Sequence, residues 1–102
     1  MNVHILLVMK YLDDNDSVTK QELLDNCKAA VYVADTAYDA YAADVSTATY
    51  TATTTAEAAS DAAAATTCAA VNFAKNRVDR YFIYTGENKQ DYIDEITTNK
   101  GE

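Results

Sequence analysis

The stretch STATYTATTTAEAASDAAAATTC, Ser46 to Cys68, decides how this chain folds, because it can be read as a strand, a break or a helix. Thr47, Thr49, Thr51 and Thr53 alternate with Ala48, Tyr50 and Ala52, the period-2 pattern of a strand made from β-branched residues. No second strand-like segment offers a partner, apart from the opening of the chain. Thr54 followed by Glu57 makes a capping box, and AEAASDAAAA after it has the strongest helix propensity in the sequence. The expectation is a break over 46–54 with helix on both sides.

Working outward from that break, the N-terminal side shows a well-signalled helix start. Thr19 is the N-cap, Glu22 closes a capping box, and Val18 is placed to staple against Leu23, with Ser17 as the competing cap. Leu24, Cys27, Val31, Ala34, Tyr38, Tyr41 and Val45 then recur at steps of three and four, a seam of mostly small residues that lets helices approach closely. This first arm covers 19–45. A second arm, 55–85, carries Val71, Ala74, Val78 and Phe82 on one face with Tyr81 beside it, and Gly86 is its stop. Similar arm lengths, roughly 39 and 45 Å at the helical rise, point to an antiparallel hairpin. The rival is one uninterrupted rod from Lys20 to Thr85, which buries its seam only against another chain.

The ends complete an all-α domain over 1–102. The apolar opening, 1–12, is a buried helix or strand that periodicity alone does not separate. Its run VHILLVM is too short to span a bilayer and lacks the basic flank of a leader, so it reads as core. DDNDS after it is a turn. A short helix over 88–97 offers Tyr92, Ile93 and Ile96 to the core. With no proline and only two glycines, the composition is helical. The heavier end of the core is expected where the opening segment, Phe82 and the last helix meet.

Sixteen acidic against eight basic residues give a net charge of -8, which disfavours a direct grip on nucleic acid or an anionic membrane. Between Ala29 and Ala74 there is no Lys, Arg or His, while Asp35, Asp39, Asp44, Glu57 and Asp61 are all present. Asp35/Asp39 and Glu57/Asp61 are like-charge pairs at i, i+4, each mildly destabilising and with no nearby basic residue in sequence. A solvated acidic face explains them, and so does a docking surface for a basic partner. Tyr32 lies on the side of the helix that carries Asp35 and Asp39, and tyrosine suits a binding hot spot. The candidate partner-binding set is therefore Tyr32, Asp35, Asp39, Glu57 and Asp61. Rows of carboxylates on a rigid helix could imitate a nucleic-acid backbone, although these are sparse for a DNA mimic.

Lys75, Arg77 and Arg80 could bind phosphate, or could simply complement the C-terminal end of the second arm. Cys27 and Cys68 fit no metal pattern and read as reduced, small apolar residues, consistent with a cytoplasmic setting. His4, the only histidine, sits in an apolar run and reads as structural. No metal, cofactor or catalytic motif is found, and the chain is expected to be no enzyme. The 11-residue threonine interval of type I antifreeze helices occurs at Thr36–Thr47 and Thr55–Thr66 but fails at Ala58 and Arg77.

The two ends, HILLVMKYLDDNDSVTKQELLDN and RVDRYFIYTGENKQDYIDEI, enclose the Ala/Tyr/Asp-rich tract AAVYVADTAYDAYAAD. In this arrangement the chain resembles small acidic proteins of tailed bacteriophages that infect enteric bacteria, departing from them at STATYTATTT. The resemblance implies expression inside a bacterial host and carries over no catalytic residues. It implies a non-enzymatic acidic helical protein that binds and blocks a basic surface of a host defence or nucleic-acid-handling protein. The alternatives are a self-associating structural or scaffold protein, a homo-oligomer, and a small-ligand binder that holds a nucleotide near Arg77 and Arg80.

Overall fold

The computed structural model describes residues 1–40, 47–64 and 68–100, with side-chain surroundings given for 1–35, 51–64 and 71–98. It is all-helical among the described residues: α1 (Val3–Asp13), a single 3-10 turn (Asn15–Ser17), α2 (Lys20–Ala40), α3 (Thr47–Ala63), α4 (Cys68–Thr85) and α5 (Lys89–Lys100). The ends of the helices follow local chemistry. Asn2 caps α1, its Oδ1 accepting from the backbone N–H of His4 at 3.0 Å and of Ile5 at 3.2 Å. The capping box at α2 forms in both directions, Glu22 N–H to Thr19 Oγ1 and Thr19 N–H to Glu22 Oε1, each 3.1 Å, and Val18 and Leu23 are both buried beside it. Ser17 does not cap α2. Its hydroxyl donates back to the carbonyls of Asp14 and Lys10 and closes α1. Gly86 stops α4 at φ 70°, a left-handed conformation that glycine adopts without strain.

The threonine tract is helix, and this corrects the expected break: 47–54 belong to α3, while position 46 lies outside the described residues. Two effects override the strand-like alternation. The Thr55 hydroxyl donates to the carbonyl of Thr51 at 2.8 Å, satisfying itself within the helix. Thr54, Thr55, Ala58, Ala59 and Ala62 are buried, a spacing that only a helix places on one side. The expected second arm, 55–85, is correspondingly divided between α3 and α4, and neither a two-arm hairpin nor one long rod describes the chain. The first arm is described as helix to Ala40; Tyr41, Asp44 and Val45 lie outside the described residues.

α3 is the central element, packed along its length against α2 on one side and α4 on the other. Cys27 Sγ meets Ser60 Oγ at 3.3 Å. Were α2 and α3 parallel, that contact would put Ala40 and Thr47 about 39 Å apart along the helices. Residues 41–46 can span about 25 Å at most, so α2 and α3 are antiparallel. The shorter gap from α3 to α4 imposes the same reversal. The three helices form a layer whose middle member is built almost entirely of Ala, Thr and Ser, because it must be approached from both sides.

α1 lies across one side of this layer, touching all three helices, and α5 packs on α1. Its contacts fix that side. Asn2 Nδ2 donates to Thr55 Oγ1 of α3 at 3.2 Å, and Asn26 of α2 exchanges hydrogen bonds with His4, Oδ1 to the ring Nδ1 at 2.8 Å and Nδ2 to the carbonyl at 3.2 Å. His4 is thus structural, with Nδ1 carrying the proton. The buried stripe of α2 is Leu23, Asn26 and Ala30, one residue out of step with the expected seam; Leu24 and Val31 are 38% and 36% exposed. The shift follows from α2 serving α1 as well as α3. At the heavy end, Tyr81, Phe82 and Tyr92 pack edge to face with ring centroids 4.9 to 6.5 Å apart. Tyr92 and Ile96 of α5 are buried as expected, whereas Ile93 is 39% exposed.

Candidate functional site

With α1 and α5 on one side of the layer, the other side carries no helix among the described residues. Its surface can be assembled from three ridges at i, i+4, i+7 and i+11, each one helix face. On α2 these are Leu24, Lys28, Val31 and Asp35. On α3 they are Thr53, Glu57, Ser60 and Ala64, with Asp61 beside Glu57. On α4 they are Phe73, Arg77, Arg80 and Tyr84. The orientation is set by two contacts: Cys27 turns this side of α2 toward Ser60, and Arg77 turns this side of α4 toward Glu57.

Arg77 is the electrostatic centre of the face. Its Nη1 lies 3.0 Å from Glu57 Oε2 and its Nε 3.6 Å from Asp61 Oδ2, the three side chains being 30–42% exposed. This corrects the expectation that the Glu57/Asp61 pair goes unrelieved. The relief comes across the helix interface, from a residue sixteen positions further on, and sequence neighbours could not reveal it. The second contact is too long for a hydrogen bond, and Asp61 Oδ2 and Arg77 Nε, both shielded from solvent, make none.

The candidate partner-binding residues are thereby divided. Tyr32 and Asp35 are exposed on α2, Tyr32 at 73%, between Val31 and the 48%-exposed Val33. Glu57 and Asp61 lie against Arg77 on α3, and the side chain of Asp39 lies outside the described residues. The candidate phosphate-binding cluster is also split. Arg77 and Arg80 belong to the uncovered face, but Lys75 turns to the opposite side, where it lines a cleft of about 240 Å³ with Met9, Leu12, Asp13, Val78, Asp79 and Lys89. The Lys89 ammonium already pairs with Asp79 at 3.0 Å across that cleft.

Sequence reasoning missed the apolar members of the uncovered face: Phe73, 57% exposed, and Tyr84, 42% exposed, bracketing the two arginines. Their spacing was legible as one helix face. What the sequence lacked was any indication of which face α1 would cover.

A second polar constellation ties the ends of the chain together. Glu87 Oε2 accepts from Tyr81 Oη at 2.7 Å and Oε1 accepts from Tyr92 Oη at 2.5 Å, while Tyr92 Oη accepts from the backbone N–H of Asn2 at 2.8 Å. Burial, then the neighbouring Tyr92 hydroxyl and the bond to Glu87, push the Tyr81 phenol above the ordinary tyrosine range. The Tyr92 phenol is raised by burial and by Glu87. Every donor here has an acceptor, so the cluster holds structure rather than offering a reactive group.

No helix among the described residues is long and apolar enough to cross a membrane. Comparison with protein-family models, with curated proteins and with solved structures found no match.

Proposed function

We propose that this is a non-enzymatic acidic binding protein that presents the exposed edge of α2, centred on Tyr32 and Asp35, to a basic protein surface. The observation that supports this reading is the 73% exposure of Tyr32 on a rigid helix, flanked by Val31, Val33 and Asp35. A large, amphipathic, two-torsion side chain buries much area on binding at little entropic cost, which is why tyrosine anchors interfaces. The surrounding charge selects the partner. With a net charge of -8, and no basic residue between Ala29 and Ala74, this edge attracts cationic surfaces and repels nucleic acid. The likeness of the chain's ends to phage proteins directs the search for that partner to a bacterial host.

The test is capture from host lysate on immobilised protein. Proteins retained by the wild type should be lost with Tyr32→Ala, and weakened with Asp35→Asn in a way that high salt reproduces. An unchanged set of retained proteins for both variants would remove this surface from consideration.

A further inference from the structure

We infer that the cleft between α1, α4 and α5 is a binding site for a small amphipathic anion, an apolar body the size of one ring or a short alkyl chain that ends in a single carboxylate. The site shares no residue with the partner-binding edge of α2 and goes beyond it. Two helices build its walls in the same way. Met9, Leu12 and Asp13 on α1, and Lys75, Val78 and Asp79 on α4, each occupy positions i, i+3 and i+4, so each set falls on a single helix face. Lys89, at the start of α5, completes the lining. Met9 and Val78 are buried and Leu12 is half-buried, which makes the floor apolar. Asp13, Lys75, Asp79 and Lys89 are exposed and stand at the rim.

The charges at the rim decide the ligand. Lys89 and Asp79 neutralise each other at 3.0 Å, and Asp13 has an interaction of its own. Lys75 makes no hydrogen bond or ion pair among the described residues, so one uncompensated ammonium stands beside the apolar floor. That combination suits a molecule with one negative end. Its carboxylate accepts a charge-assisted hydrogen bond from Lys75 Nζ, while its body covers Met9, Leu12 and Val78. A cation would meet Lys75 instead, and a zwitterion would bring an ammonium to the same neighbour. The size follows from the volume. An apolar cavity of about 150 Å³ takes a benzene ring, so a cleft of about 240 Å³ has room for a ring with a short acid arm. Larger ligands occupy pockets of about 300–1,000 Å³. The net charge of -8 opposes an anion only weakly here, because exposed charges more than about 10 Å away are screened at ordinary salt.

Titration of the isotope-labelled full chain with hydrocinnamate, followed by heteronuclear NMR, tests this. The backbone amides of Met9, Leu12, Lys75 and Val78 should shift saturably at millimolar ligand. Hydrocinnamyl alcohol has the same body without the charge and should bind about tenfold more weakly. Lys75→Gln should bring acid and alcohol to the same affinity. Lys75 is exposed, and far-ultraviolet circular dichroism verifies that the variant keeps its helices. Free phenylalanine, which adds an ammonium beside the carboxylate, should bind no better than hydrocinnamate. Absence of saturable shifts at these amides overturns the inference, as does equal binding of acid and alcohol by the wild type. A preference for the acid that survives in Lys75→Gln overturns the role of Lys75, and tighter binding of phenylalanine overturns the class of ligand.

Discussion

Tyr81 and Tyr92 have one phenolic proton each, and both donate it to the carboxylate of Glu87. The two phenolic oxygens, 3.4 Å apart, therefore have no proton left for each other. Glu87 is the shared acceptor for a buried pair, although as a residue it lies at the surface. Replacing it with alanine strips acceptors from two buried donors, and Glu87→Ala is expected to cost about 2 kcal/mol in urea unfolding, with Glu87→Gln losing less. The same pair gives the fold an alkaline limit. Both tyrosines hold their protons to higher pH in the folded chain than in the unfolded one. Their contribution is complete below the ordinary tyrosine value of about 10 and fades as pH rises from there toward the folded values. Urea midpoints should accordingly fall as the pH rises above about 10, and Tyr92→Phe should make that fall less steep.

At the scale of the element, α3 shows which parts of a sequence speak for themselves. The capping box at Thr19 and Glu22, the staple of Val18 on Leu23 and the glycine stop at Gly86 are local devices, complete within a few residues, and each appears in the structure as the sequence implies. The threonine tract is different, because its state depends on what surrounds it. Alternating β-branched residues favour an extended chain only if a neighbouring strand is present, and here two helices and α1 surround the segment instead. The seam of α2 was displaced by one residue for a similar reason: the pattern records burial on all sides at once, and a hairpin model allowed for one side only. The small side chains of α3 are then a requirement. Ala58 is fully buried between neighbours, so Ala58→Leu should destabilise by about 1–3 kcal/mol through overpacking. Thr53, exposed on the same helix, has no such duty, and Thr53→Ala should stabilise by a few tenths of a kcal/mol from helix propensity alone. Thermal and urea unfolding of the two variants would separate packing from propensity.

For the whole molecule, the decisive asymmetry is that α1 and α5 cover one side of a three-helix layer. The candidate site was legible in part: Tyr32 and Asp35 are exposed where helical spacing put them, while Glu57 and Asp61 turned out to face Arg77. That ion pair, 30–42% exposed, contributes on the order of 0–1 kcal/mol to stability, and it offsets one of the two carboxylate charges in the middle of the uncovered face.

The bond from the Asn2 backbone to Tyr92 has a mechanical meaning. It joins points 90 positions apart in sequence, so it has to break before α1 can part from α5.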